Sequence, residues 1–191
     1  MTDIAITTGT QLRFCVAGSF SPADPATDHS IAGMDDVLLT QASLGNNAAR
    51  QSSKADLGSG AATWAQRWAL HAAVDFTGET PSANGRVDYY WAPSTHATAA
   101  NGNIAGNSGV DGAAPDGALG SITLDEFLLQ CIYIGSLRTH DGAVVQNGFV
   151  GYLVPPSRYG QLIVVNQSGD VLEADDVENA AWLTAMLDQV A

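Results

Sequence analysis

Ser108 is the first side chain that could do chemistry, because it stands among small residues in Gly106-Asn107-Ser108-Gly109. A nucleophile elbow needs Gly-x-Ser-x-Gly, so that a sharp turn can present the hydroxyl. Position 110 is Val110, and the pattern fails. The four histidines, His29, His71, His96 and His140, have no i, i+4 spacing and no cysteine nearby. No zinc signature follows from them. Asn101-x-Asn103-x-x-Gly106 resembles the opening of a calcium loop, but its first position is neutral and its twelfth is Gly112 in place of glutamate. An EF-hand is excluded; a looser oxygen cage would have to draw on Asp111 or Asp116. Three adjacent carboxylate pairs, Asp35-Asp36, Asp125-Glu126 and Asp175-Asp176, are poor acid/base dyads, since neighbours on a strand point to opposite faces. They read as solvated charge.

Cys15 and Cys131 sit in apolar, strand-like segments at unrelated positions. They read as two buried free thiols, which behave as small hydrophobes. Trp64, Trp68, Trp91 and Trp182 raise a sugar-stacking function, which needs exposed indoles. Trp64 and Trp68, however, share the face of their segment with Leu70, Val74 and Phe76, and this assigns them to the core. His71 falls on the opposite face, as a satisfied or solvent-facing imidazole. No catalytic residue, cofactor site or metal site emerges, and the expectation is a protein that binds and assembles without catalysing.

The elements that carry these residues are strands. Over residues 64–76, Trp64, Gln66, Trp68, Leu70, Ala72, Val74 and Phe76 alternate with Ala65, Arg67, Ala69, His71, Ala73 and Asp75. Period two fits a long half-buried strand; a helix would give a poor core face. Val87, Tyr89 and Trp91 repeat the alternation after a turn-rich stretch that ends in Asn84-Gly85. Further strands are expected at Gln11–Ala17, Val37–Gln41, Ser53–Leu57, Val144–Gln146 and Phe149–Val154. Gln161–Asn166 is uniformly apolar and β-branched, as for a strand covered on both faces. Phe127–Ile134 is read as a strand, although Thr123-x-x-Glu126 before it matches a helix capping box. Trp182–Val190 fits a strand end or one short helix. The fold class is therefore all-β, an antiparallel β-sandwich or jelly-roll-like domain. The expected division is an N-terminal strand and irregular arm over 1–36, then a β-sandwich over 37–191 with one long external loop at 93–121.

Composition limits the partners. Apolar residues are 46% of the chain and charged ones only 14%, which supplies a core but few long polar helices. Twenty acidic residues face seven basic ones, and the net charge is −13. Counterion release onto phosphates needs a basic surface, so nucleic acid and anionic membranes are not expected as partners. No stretch approaches the ~20 apolar residues of a membrane helix. Met1-Thr2-Asp3-Ile4 has no positive n-region, and no secretion leader is expected.

Between residues 50 and 180 the chain resembles a group of virion structural proteins of tailed bacteriophages. The resemblance is carried by Ser52-Ser53-Lys54-Ala55-Asp56-Leu57-Gly58, Gly85-Arg86-Val87-Asp88-Tyr89-Tyr90-Trp91-Ala92-Pro93-Ser94 and Asn107-Ser108-Gly109-Val110-Asp111-Gly112. It continues through Ile134-Gly135-Ser136-Leu137, Gly148-Phe149-Val150-Gly151, Pro155-Pro156-Ser157-Arg158-Tyr159-Gly160 and Asn166-Gln167-Ser168-Gly169. It implies a β-sandwich or jelly-roll unit on the outer surface of the particle, present in host cytoplasm during assembly. It further implies a capsid decoration (cement) protein, a homo-oligomer that binds the major capsid protein and sister copies. A tail or head–tail component, or a carbohydrate-binding module, are the alternatives. The long loop and the stretch Phe20–Asp36 are expected to become ordered through such contacts.

Overall fold

A computed structural model of the chain describes residues 4–58, 65, 67–117 and 120–190, with side chains described between residues 10 and 186. The strands are β1 (Ile4–Cys15), β2 (Asp35–Leu38), β3 (Ala49–Gln51), β4 (Ala55–Asp56), β5 (Arg67–Val74), β6 (Arg86–Ser94), β7 (Gly112–Ala113), β8 (Ile132–Arg138), β9 (Gln146–Leu153), β10 (Tyr159–Gln167) and β11 (Ala180–Val190). One short helix, α1 (Leu124–Leu128), precedes β8. The strands join in a single sheet, in the order β2-β1-β11-β5-β9-β8-β6-β10-β3-β7, with β4 also on β10. The fold is all-β. The sheet is mixed, because β1 and β2 run parallel while the other pairs are antiparallel. It curls into a half-barrel, a jelly-roll-like closure.

Alternation builds the inside of that curl. Trp68, Leu70, Ala72 and Val74 of β5 enter the main core with Tyr89 and Trp91 of β6, Leu162 and Val164 of β10, and Leu12 and Phe14 of β1. Trp64 lies outside the described residues; Trp68, Trp91 and Trp182 are all buried. Asn84 adopts φ 70° at the turn before β6, as its pairing with Gly85 suggests. β10 is buried from Gly160 to Asn166, covered on both faces as its uniform sequence requires. Residues 180–190 form a full strand that pairs with β1 on one side and β5 on the other.

Two covers lie on the outer face. Phe20 and Trp182 pack edge to face, ring centroids 5.8 Å apart, in a small cluster with Cys15, Ala73 and Ala180. On the other flank Phe127, Ala114, Ile104 and Ile122 pack onto Ala49, Ala92, Ile163 and Val165. The long loop thus lies outside the sheet, but shares a core with it. The loop also seals polar groups beneath it: Gln161 Nε2 donates to Asn107 Oδ1 at 2.7 Å, and Gln51 Nε2 donates to Ser108 Oγ at 3.0 Å. Lys54 Nζ ties down the outer part of the loop by donating to the carbonyls of His96, Thr98 and Asn101.

The strand expected over Phe127–Ile134 is corrected. Thr123 and Glu126 make the reciprocal capping box, and residues 124–128 are helical. Phe127 is anchored in the cover while Leu129 is 86% exposed, so the apolar run never served one sheet face. Pairing begins only at Ile132.

Both cysteines are free. Burial pushes the Cys15 thiol up to about 11, although Arg13 beside it pulls the other way, and burial pushes Cys131 up to about 12. At pH 8 both are held as thiols, which are poor nucleophiles. Native protein is expected to react slowly at both sites with a thiol-directed reagent, Cys15 more slowly because Cys131 is only partly buried. Mass spectrometry of a labelling time course checks this; rapid native labelling of Cys15 contradicts it.

Candidate functional site

Between the two covers part of the outer face is left open. β5 turns Ala69 and His71 outward, since Trp68 and Leu70 point in. Their partners across the ladder are Tyr152 and Phe149 on β9, and Thr184 and Trp182 on β11. Ala69, His71, Phe149, Tyr152 and Thr184 line a groove of about 450 Å³ with Gln11 of β1, Met186, and His29 and Ile31 from the arm, while Trp182 lies buried beside it.

Gln11 hangs the arm over this groove. Its side chain is buried, donating from Nε2 to His29 O and Thr184 Oγ1, each at 2.9 Å, and accepting at Oε1 from Ile31 N–H. Along the floor runs a chain of rings with centroids 5.0–5.3 Å apart: Trp182, His29, His71, Phe149 and Tyr152. Arg67 closes the row, its guanidinium 5.1 Å from the centre of Tyr152. Phe149 and Tyr152 are about half exposed, at 48% and 53%. Burial, reinforced by His29, lowers the pKa of His71, so its imidazole is neutral at pH 7. Neither imidazole in the groove is hydrogen-bonded to a hydroxyl, thiol or carboxylate among the described residues. The groove offers flat apolar surface, one cation and polar edges. That chemistry suits binding.

The other candidates are dispersed. Ser108 accepts from Gln51 and has no histidine partner. His96 and His140 each accept at Nδ1 from a backbone N–H two residues on, Thr98 and Gly142, and so stabilise their own turns. Asp111 accepts from Thr40 N–H, Thr40 Oγ1 and Arg50. Asp116 accepts from Gln51. Among the described residues, no group of three or more histidine, cysteine, aspartate or glutamate side chains could hold a metal ion.

Each acidic pair also divides. Asp36 takes Arg13 at 2.7 Å while Asp35 is exposed, and Glu126 serves the helix cap. Asp176 is buried and accepts from the N–H groups of Gln41 and Ala42, whereas Asp175 is exposed. None of them forms a facing dyad.

Phe149 and Tyr152 are the residues sequence reasoning missed. They are three apart, and a regular strand puts such residues on opposite faces. A β-bulge at Val150 turns both outward.

The fold and groove together define a β-rich scaffold with one open aromatic face. No family model, curated protein or solved structure matches the chain. Among the described residues, no helix is long and apolar enough to cross a membrane.

Proposed function

We propose that the chain is a structural virion protein of a tailed phage, a capsid decoration subunit that binds the major capsid protein and sister copies. One observation carries the reading: Phe149 and Tyr152 stand about half exposed in the middle of a sheet whose flanks are covered on the same face. Exposed aromatic anchors beside covered surface are what assembly interfaces use. The resemblance over residues 50–180 supplies the partner. Several of its glycines, Gly85, Gly109, Gly135, Gly151 and Gly160 among them, fall at close-packing positions of the fold, Gly160 under Trp91. The strip pairs apolar rings with a single guanidinium, so the contact is held by packing and withstands high salt.

The double variant Phe149→Ser/Tyr152→Ser tests this. Both side chains face solvent, and folding stability should fall by no more than about 1 kcal/mol, the worth of the Arg67–Tyr152 contact plus surface effects. Attachment to heads lacking the protein should weaken by about thirtyfold, the loss of one hot spot. Wild-type attachment by the folded variant refutes the docking face. Particle imaging of the bound protein then separates the positions. A subunit following the head lattice supports decoration, and one confined to the tail axis supports a tail component.

A further inference from the structure

A second outward cluster lies on β6 and β8, apart from the groove. The register pairs Arg86 with Arg138, Asp88 with Ser136, and Tyr90 with Tyr133. The intervening Val87, Tyr89 and Leu137 enter the core, so these six side chains share the outer face and line a recess of about 370 Å³. The rows span about 13 Å along the strands. One end carries two guanidiniums, the middle a carboxylate and a hydroxyl, and the far end two phenols.

Arginine directly opposite arginine is an unfavourable cross-strand pair. This chain has only seven basic residues, so the placement stands out. Arg86 is partly compensated: its Nε donates to Asp88 Oδ2 at 2.8 Å, which draws the guanidinium toward the middle row. Asp88 is buried and also accepts from Ser136 Oγ, so its charge belongs to this network. Arg138 is exposed and has no carboxylate partner among the described residues. Two guanidiniums and one carboxylate leave the recess with one net positive charge, on a chain whose total is −13. At the far end Tyr90 and Tyr133 pack with centroids 5.1 Å apart, and Tyr133 is 54% exposed. Its hydroxyl is hydrogen-bonded to Ser136 Oγ at 2.5 Å.

We propose that this recess binds an acidic saccharide, with a uronic-acid carboxylate as the recognised group. Arg138 and the free edge of Arg86 take the carboxylate, a charge-assisted contact that matches one negative charge. The exposed face of Tyr133 packs on the apolar face of a pyranose, while the phenol and serine hydroxyls meet its hydroxyls. A single net positive charge suits a carboxylate better than a phosphate dianion. An acidic peptide is disfavoured by the topology: β6 is flanked by β8 and β10, and β8 by β6 and β9, so neither presents a free edge to a peptide backbone. The site needs no particle and stands independently of the assembly reading.

Titration calorimetry of the full-length chain tests it, with trigalacturonate and an alginate trisaccharide as acidic probes and trigalactose as the neutral control. Saturable binding of an acidic probe and none of trigalactose is expected. Arg138→Gln should weaken that binding about tenfold or more. Tyr133→Ala should weaken it several-fold, and Phe149→Ser/Tyr152→Ser should leave it unchanged. The exposed positions of Arg138 and Tyr133 keep these variants folded, which circular dichroism verifies. The proposal is overturned if neither acidic probe binds, if trigalactose binds equally, or if Arg138→Gln has no effect. Tighter binding of an acidic peptide, or full competition by inorganic phosphate, overturns it in favour of those ligands.

Discussion

Trp91→Ala is expected to lower stability by about 3–5 kcal/mol, the range for removing a large aromatic side chain from a well-packed core. Trp91 is fully buried and its ring lies against Gly160 of the neighbouring β10. A Cβ on residue 160 would come within 2.5 Å of the indole Nε1 and Cζ2. Gly160→Ala in the wild-type chain therefore overpacks the core, at about 1–3 kcal/mol. In the Trp91→Ala background the same methyl enters vacated space and should cost little. The two positions are thus coupled by about 1–3 kcal/mol, measurable as a double-mutant cycle in urea unfolding. Additive costs would disprove that the indole dictates glycine at 160. Trp91→Phe separates volume from polarity. Among the described residues the buried indole N–H has no hydrogen-bond partner, so removing it offsets part of the lost packing. The Phe variant should lose less than half of what the Ala variant loses.

The same residues show why much of the fold was legible in the sequence. Trp68, Leu70, Ala72 and Val74 alternate over eight regular residues of β5, and period two needs only that regularity to reveal its inner face. β10 announced burial on both faces because no polar side alternates with Leu162-Ile163-Val164-Val165. Regularity is what α1 lacks. Five residues are too few to show a helical period, and the capping box at Thr123 and Glu126 was the better signal there. The apolar run that followed suggested a strand because its residues serve different partners. Phe127 packs into the cover, Leu129 faces solvent, and Ile132, Ile134 and Leu137 reach the main core.

The groove was half legible for a related reason. His71 lies on a regular strand and was placed on the outward side of it, but the arm that brings His29 to within 5.1 Å of it is a long-range contact. Gln11 makes that contact, through bonds to residues 18 and 20 positions further along the chain. No local period encodes such a link. Phe149 with Tyr152, and Tyr133 with Ser136, escaped because each pair is spaced by three across a bulge. Period-two reading assigns the members of each pair to opposite faces, whereas the bulges at Val150 and Ile134 bring them to the same one.

Those two bulges meet, and the last expected result concerns the place where they do. Gly135 pairs with Gly151 across β8 and β9, the sole ladder position between these strands. A Cβ on Gly151 would run into the carbonyl of Ile134, the residue bulged on β8. One on Gly135 would run into the carbonyl of Val150, the residue bulged on β9. Each glycine thus makes room for the other strand's bulge, and neither obstacle is a side chain that could rotate away. Gly151→Ala is expected to cost about 3 kcal/mol, at the upper end for overpacking. Relief can come only by moving β9 away from β8. That movement displaces Phe149 and Tyr152 on one strand, or Tyr133 and Ser136 on the other, so head attachment and acidic-sugar binding should both weaken at temperatures where the variant remains folded. Gly148→Ala on the same strand is the control. Its Cβ would meet only Leu137 Cδ1 at 3.4 Å, an ordinary contact, and the loss of chain entropy in the unfolded state should leave stability unchanged or raised by about 0.4–1 kcal/mol. Equal destabilisation by Gly148→Ala and Gly151→Ala would show that β9 merely tolerates no added side chain, and that the apposed bulges do not set the two outer surfaces.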